Sequence, residues 1–225
     1  MKVICFDLDD TLYKEIDYLK SAYREIAAYA AERCHEKSDA KHLVAIKAYD
    51  AMIKAYRNGQ NAFEALNESL GLPLPISEYL ELYRAHQPNI SLDNDTYNAL
   101  ETLKGKGCIL ALITDGRSLQ QRNKIRALGL QHWIADEDIV ISEEFGSEKP
   151  SLANYEYFIQ RYPDCKDFTY VGDNPKKDFV APNALGWKTI CLKDNGKNIH
   201  RQTMEGLAKE FLPSIIIESL SPALP

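Results

Sequence analysis

The residues best placed to do chemistry come first in the chain. Asp7-Leu8-Asp9-Asp10-Thr11 follows Lys2-Val3-Ile4-Cys5-Phe6, a short apolar run that ends abruptly in carboxylates. Asp7 and Asp9 are two apart, so strand alternation would put both on one side if the strand continued through them. Two such anions about 4 Å apart repel by about 4 kcal/mol at an effective dielectric of about 20. Either a cation sits between them or one keeps a proton, and both outcomes serve metal or acid–base chemistry. The plain alternative for the same residues is an acidic turn in which Asp10 or Thr11 caps a helix.

Three further polar clusters follow runs of the same kind. Thr114-Asp115-Gly116 ends Cys108-Ile109-Leu110-Ala111-Leu112-Ile113. Glu148-Lys149-Pro150 lies in the loop after Ile139-Val140-Ile141. Gly172-Asp173-Asn174-Pro175-Lys176-Lys177-Asp178 ends Phe168-Thr169-Tyr170-Val171. Short apolar runs rich in β-branched and aromatic residues read as buried strands. Helical stretches fall between them, near residues 93–104, 116–128 and 151–161. Alternating strands and helices predict an α/β fold with a parallel sheet and right-handed crossovers. Trp187 to Leu192 predicts a further strand, and Ile215-Ile216-Ile217 an edge strand. Ligands in open α/β sheets bind outside the strand C-termini, so Asp7, Asp9, Thr114, Asp115, Lys149, Asp173 and Asp178 should meet on one rim. Read singly, Lys149 is an ordinary loop lysine and Thr114 a helix cap. Four coincidences on one rim favour function.

Between the first two clusters the pattern is helical only. Ile16, Leu19, Tyr23, Ile26 and Ala30 mark one apolar face. A second helix is expected from about Ser38-Asp39, carrying Leu43, Ile46, Met52, Ile53 and Tyr56 to a stop at Asn58-Gly59. Asn61-Ala62-Phe63-Glu64 resembles a capping box for a third, ending at Gly71 and the breakers Pro73 and Pro75. A fourth, about Ser77 to Ala85, bears Leu80 and Tyr83. Having no strand to pack on, these helices are expected to form a small bundle, its tyrosines mostly core. Residues 15–90 therefore read as an inserted helical domain, and 1–14 with 91–225 as the α/β core, with hinges near Tyr13-Lys14 and Ser91-Leu92.

Composition narrows the classes. A formal net charge of −6 disfavours a general nucleic-acid or acidic-membrane binder but leaves a small phosphorylated substrate open. Nothing in the sequence has transmembrane length. The five cysteines are scattered without C-x-x-C spacing. Cys5, Cys108 and Cys191 sit in strand-like runs and are expected to be buried free thiols, as in a cytoplasmic protein. The histidines show no paired ligand spacing, and a G-x-x-x-x-G-K-[ST] phosphate loop is missing.

The motifs F-D-L-D-D-T-L and V-G-D-N-P-K-K-D, with Thr114 and Lys149 between them, resemble those of the haloacid dehalogenase (HAD) superfamily over essentially the whole chain. The resemblance implies a Rossmann-like parallel-sheet core with an inserted α-helical cap. Because Asp9 is present, the chain is similar to the magnesium-dependent phosphatases rather than the dehalogenase branch, which has lost that second acid. On this resemblance Asp7 would be the nucleophile that forms an aspartyl-phosphate, and Asp9 the general acid and base. Thr114 and the Asp115 amide would hold phosphoryl oxygens, and Lys149 would supply fixed positive charge. Asp7, the Asp9 carbonyl and Asp173 would bind Mg²⁺, with Asp178 assisting directly or through water. The expected function is hydrolysis of a small phosphorylated metabolite. A phosphomutase or nucleotidase is the nearest alternative, and a dehalogenase or a non-catalytic binding module is more remote. Oligomeric state and substrate identity are not encoded in these motifs.

Overall fold

The computed structural model describes residues 1–34, 40–72 and 74–221. The chain divides into two compact units, Met1–Ile16 with everything from Ile90 onward, and Asp17–Asn89.

The first unit is built on a six-stranded parallel sheet: β1 (Lys2–Phe6), β2 (Ile109–Thr114), β3 (Ile139–Ile141), β4 (Asp167–Gly172), β5 (Lys188–Leu192) and β6 (Ile215–Ile217). Their order across the sheet is β3-β2-β1-β4-β5-β6, the Rossmann order, so β1 is central and the topology reverses between β1 and β4. Val3 pairs with Ile109 on one side and Phe168 on the other. At the end of β1 the ladder continues one step, because the Asp7 N–H donates to Val171 O at 2.8 Å.

Both faces of the sheet are covered, which is why its strands read as unbroken apolar runs. Val3, Cys5, Ala111, Ile113, Tyr170 and Cys191 share one core with Tyr155, Phe158 and Trp187. The alternate set Ile4, Phe6, Leu110 and Leu112 is equally buried. Ile215 and Ile216 on β6 are exposed, as an edge strand allows. Cys5, Cys165 and Cys191 are buried free thiols, whereas Cys108 is only partly buried. It stands in the turn before β2, which starts at Ile109 and runs through Thr114. Helices α5 (Asn94–Gly105), α6 (Ser118–Ala127), α7 (Ser142–Phe145), α8 (Ala153–Arg161) and α9 (Val180–Ala184) connect the strands. Asp93 caps α5 by accepting from the Thr96 N–H at 2.8 Å.

The second unit holds most of α1 (Glu15–Glu32) and all of α2 (Lys41–Arg57), α3 (Ala62–Leu70) and α4 (Ile76–Ala85). Asn61 caps α3 as its sequence predicts, accepting from the Phe63 and Glu64 N–H groups, and Gly71 ends it in the left-handed region. The expected start of α2 at Ser38-Asp39 and the breaker Pro73 lie outside the described residues. The buried stripe of α2 keeps Met52 of the expected set but shifts away from its N-terminal half. Leu43 and Ile46 are exposed, and Ala48, Met52 and Ala55 face inward. α2 packs closely on α3. On α4 the anchor is Tyr79 rather than Leu80 or Tyr83: its ring stacks on Phe63 and its hydroxyl donates to Asn67 Oδ1 at 2.8 Å. Tyr18 and Tyr23 are core residues too. His86, left without a role by spacing, is buried between Ser21 and Glu25, bonding one with each ring nitrogen. No helix among the described residues is long and apolar enough to cross a membrane.

Candidate active site

Asp7, Asp9, Thr114, Asp115, Lys149, Asp173 and Asp178 line one cleft of about 400 Å³ at the C-terminal ends of the strands. The sheet topology accounts for this: β1 and β4 are neighbours, so Asp7, just past Phe6, lies beside Asp173, just past Gly172. Thr114 ends the strand on the other side of β1.

The centre of the cleft is a buried lysine between two carboxylates. Lys149 Nζ lies 2.6 Å from Asp7 Oδ1 and 2.8 Å from Asp178 Oδ1, and the Tyr170 hydroxyl is 3.2 Å from both Nζ and that Asp178 oxygen. Asp115 steadies the lysine's backbone by accepting from the Lys149 N–H at 3.0 Å. Burial pushes the Asp7 carboxyl up to about 7; Lys149 opposes the shift and Asp178 and Asp9 add to it. Burial alone would lower the Lys149 ammonium, but Asp178 and Asp7 raise it well above its ordinary value, so it stays charged. Lys149 is therefore no exposed loop lysine.

Asp178 is committed to the protein on both oxygens. Oδ2 accepts from the Asp173 and Asn174 N–H groups at 3.1 and 2.7 Å, while Oδ1 takes Lys149 and Tyr170. These donors match a carboxylate's four lone-pair directions, so Asp178 is placed to orient its neighbours more than to ligate. Its side chain also explains Gly172. A Cβ there would come within 2.5 Å of Asp178 Oδ2, so the glycine of V-G-D-N-P permits the close approach.

Asp9 lies in different surroundings, made by residues that motif spacing misses. Lys124 Nζ donates to both of its oxygens at 2.8 and 2.9 Å, Gln121 Nε2 donates at 3.0 Å, and the Tyr13 hydroxyl donates as well. Burial works against ionisation here, but Lys124, Tyr13 and Gln121 outweigh it and hold the carboxyl below its usual range. Gln121 also donates to Thr114 Oγ1 at 2.6 Å. Glu15 lies 3.9 Å from Lys124, and burial followed by the Asp9 charge pushes it up to about 8. Asp10 holds the loop: it adopts φ +59° and accepts from the Glu15 and Ile199 N–H groups. His200, Lys176 and Lys177 also line the cleft. A signal for Lys124 was present in the sequence. Gln121, Lys124 and Leu128 stand at i, i+3 and i+7, on the face that Leu128 buries.

The carboxylates suit a hard cation. Oxygens of Asp7, Asp173 and Asp178 lie within 4.8 Å of one another. Burial and the charges of Asp7 and Asp178 push Asp173 up to about 9, the mark of negative charge in excess of what the protein neutralises. An all-oxygen donor set is the kind that Mg²⁺ or Ca²⁺ takes.

A family profile for haloacid dehalogenase-like hydrolases matches residues 1–186 of the 225. The chain belongs to this family. The hydrolase is 29% identical over 196 residues to the glyceraldehyde 3-phosphate phosphatase of Methanocaldococcus jannaschii, covering 85% of each chain. It is 27% identical over 235 residues to the ribulose-1,5-bisphosphate 5-phosphatase of Halopiger xanaduensis, covering 96% of this chain and 95% of the other. In fold it is similar to the magnesium-bound HAD-hydrolase YfnB of Bacillus subtilis, with a TM-score of 0.61 at 19% identity over 97% and 95% of the two chains.

Proposed function

We propose that this hydrolase is a phosphomonoesterase acting on a small phosphorylated metabolite through phosphorylation of Asp7. The observation that carries the reading is the buried Asp7 carboxylate with Lys149 Nζ at 2.6 Å, itself braced by Asp178, in a cleft that Thr114 also lines. A transferring phosphoryl group asks for an in-line nucleophile and fixed positive charge around its equatorial oxygens. Asp7 attacks phosphorus, and Lys149, the Thr114 hydroxyl and the Asp115 amide hold the non-bridging oxygens. Asp9, ionised at rest among Lys124, Tyr13 and Gln121, frees one oxygen to take a proton from the water that hydrolyses the aspartyl-phosphate, and gives that proton to the leaving oxygen of the next turnover.

Asp7, the Asp9 carbonyl and Asp173 would hold Mg²⁺, whose charge lets a phosphate dianion approach a carboxylate cluster. The magnesium in YfnB and the phosphatases of M. jannaschii and H. xanaduensis support this reading. The helical unit, residues 17–89, acts as a cap that excludes water and selects the leaving group. The substrate is a small soluble molecule rather than nucleic acid or membrane, in keeping with the net charge of −6, and the protein works in the cytoplasm.

The test is phosphate release from a panel of phosphorylated metabolites. Turnover of at least one sugar phosphate or phosphorylated acid is expected with Mg²⁺, lost in EDTA and regained when Mg²⁺ is restored. Full activity in EDTA, or none on any phosphomonoester, would sink the reading.

A further inference from the structure

Helix α6 buries two long polar side chains alongside Ile125 and leaves a leucine outside. Leu119 is 57% exposed, whereas Gln121 and Lys124 are 1% exposed on the same ten-residue helix. A buried lysine is unfavourable unless paired and hydrogen-bonded, and even a buried ion pair is seldom worth more than a well-packed apolar replacement. Stability alone therefore does not account for a lysine here. What Lys124 touches does. Its Nζ spans both oxygens of Asp9 at 2.8 and 2.9 Å, and one helical turn earlier Gln121 reaches Asp9 Oδ2 and Thr114 Oγ1 with one amide nitrogen. The pairing also shapes the turn into α6: a Cβ on Gly116, at φ +142°, would press on the Gln121 side chain at 3.1 Å.

We propose that Lys124 and Gln121 are positioning residues that dock the Asp9 carboxylate against α6 and fix its distance from the Thr114 oxygen. The inference rests on the reading of Asp9 as the acid and base. Two neighbouring positions on one helix face grip groups from the exits of β1 and β2, so α6 sets the spacing between the proton-transfer group and a phosphate ligand. Neither side chain needs to touch substrate. A carboxylate on a flexible turn would sample several rotamers, and a proton donor must stand within hydrogen-bond reach of the leaving oxygen.

The experiment is a leaving-group series of alkyl and activated aryl phosphates, with burst and steady-state phases separated. It compares wild type with Lys124→Met, Gln121→Met, Asp9→Ala and the double variant Asp9→Ala/Lys124→Met. Alkyl leaving groups need the proton and aryl ones do not. Lys124→Met should therefore lower alkyl kcat by about 10- to 100-fold, part of the usual worth of a positioned acid or base. The aryl burst should stay within about 3-fold of wild type, because Asp7 and Lys149 are untouched. Gln121→Met should give the same pattern more weakly. In the Asp9→Ala background Lys124→Met should add nothing, since its effect passes through Asp9. Equal slowing of alkyl turnover and aryl burst by Lys124→Met would overturn the inference, as would losses that multiply in the double variant. If Lys124→Met does not fold, Gln121→Met decides alone, and unchanged alkyl turnover counts against the proposal. Asp9→Ala without leaving-group dependence would strike the reading of Asp9 itself and take the inference with it. A dependence seen in Asp9→Ala but missing from both α6 variants strikes only the inference.

Discussion

Two aspartates two residues apart each face a buried lysine, yet they end in opposite electrostatic states. Asp7 shares Lys149 with Asp178 and also meets the charge of Asp9, so burial prevails and its carboxyl rises to about 7. Asp9 has Lys124 on both oxygens and further donors in Gln121 and Tyr13, so its carboxyl is held low. The lesson is that a lysine bonded to both oxygens of one carboxylate, with neutral donors beside it, outweighs burial, whereas one bonded equally to two buried carboxylates does not. A shared lysine leaves Asp7 in a site short of positive charge, which a bound cation would relieve. A lysine bonded to both oxygens of Asp9, with Glu15 only at 3.9 Å, fixes that side chain in place.

The comparison is broken most severely at Asp7. Asp7→Asn should remove turnover of every phosphomonoester, because an amide cannot form the acyl phosphate, while the loss of one buried charge leaves the fold intact. Residual turnover above about one thousandth of wild type would mean that water attacks directly. Lys149→Met comes next. It leaves Asp7 and Asp178 buried without their cation, a loss of about 3–5 kcal/mol of stability for a broken buried pair. A fall of about 10²–10³ in kcat should accompany it if Lys149 holds transition-state charge. Denaturant melts and kcat on the same sample separate the two effects, and loss of stability with kcat unchanged would make Lys149 a purely structural cation.

The smallest effect sharpens the contrast through pH. Asp7 and Asp173 have carboxyls raised to about 7 and about 9, so in the metal-free protein they keep protons that the unfolded chain has already released. Between about pH 4 and those values the folded state binds more protons, and stability falls as pH rises. Asp9, held low, has the opposite sign: its contribution is present above the ordinary carboxyl range and is lost on acidification. Melting temperature in EDTA should therefore decline from about pH 5 to 9, by a few degrees. Mg²⁺ should flatten the decline, since it favours the ionised cluster. A metal-free melting temperature that rises across that range would contradict the excess of negative charge at Asp7 and Asp173.

Much of this architecture was legible in the residues themselves. Unbroken apolar runs locate the strands to within a residue or two, because a sheet covered on both faces admits few polar residues inside its strands. Asn61 and Gly71 marked the ends of α3, since a cap is a local hydrogen bond or a local dihedral. Leu43 and Ile46 on α2 are exposed against expectation, because periodicity says which residues share a face and not which face meets a neighbour. Lys124, Gln121 and Tyr170 went unremarked for a related reason. Gln121 and Lys124 share a helix face with Leu128, but that spacing marks burial and not function, and Tyr170 lies inside an ordinary apolar strand.

Taken alone, the sequence determined the order of strands and helices and which acids and lysines follow each strand. Those properties are encoded within a few residues by sterics, capping and apolar periodicity. Tertiary structure decided which lysine serves which aspartate. Lys149 lies 142 positions from Asp7, and Lys124 lies 115 from Asp9. Only the order β3-β2-β1-β4-β5-β6 brings those side chains to the same rim. It also decided that Asp178 spends its oxygens on backbone N–H groups, Lys149 and Tyr170. Electrostatic character depends on distance and burial, which are properties of the packed chain, and so two identical side chains two residues apart acquired opposite shifts.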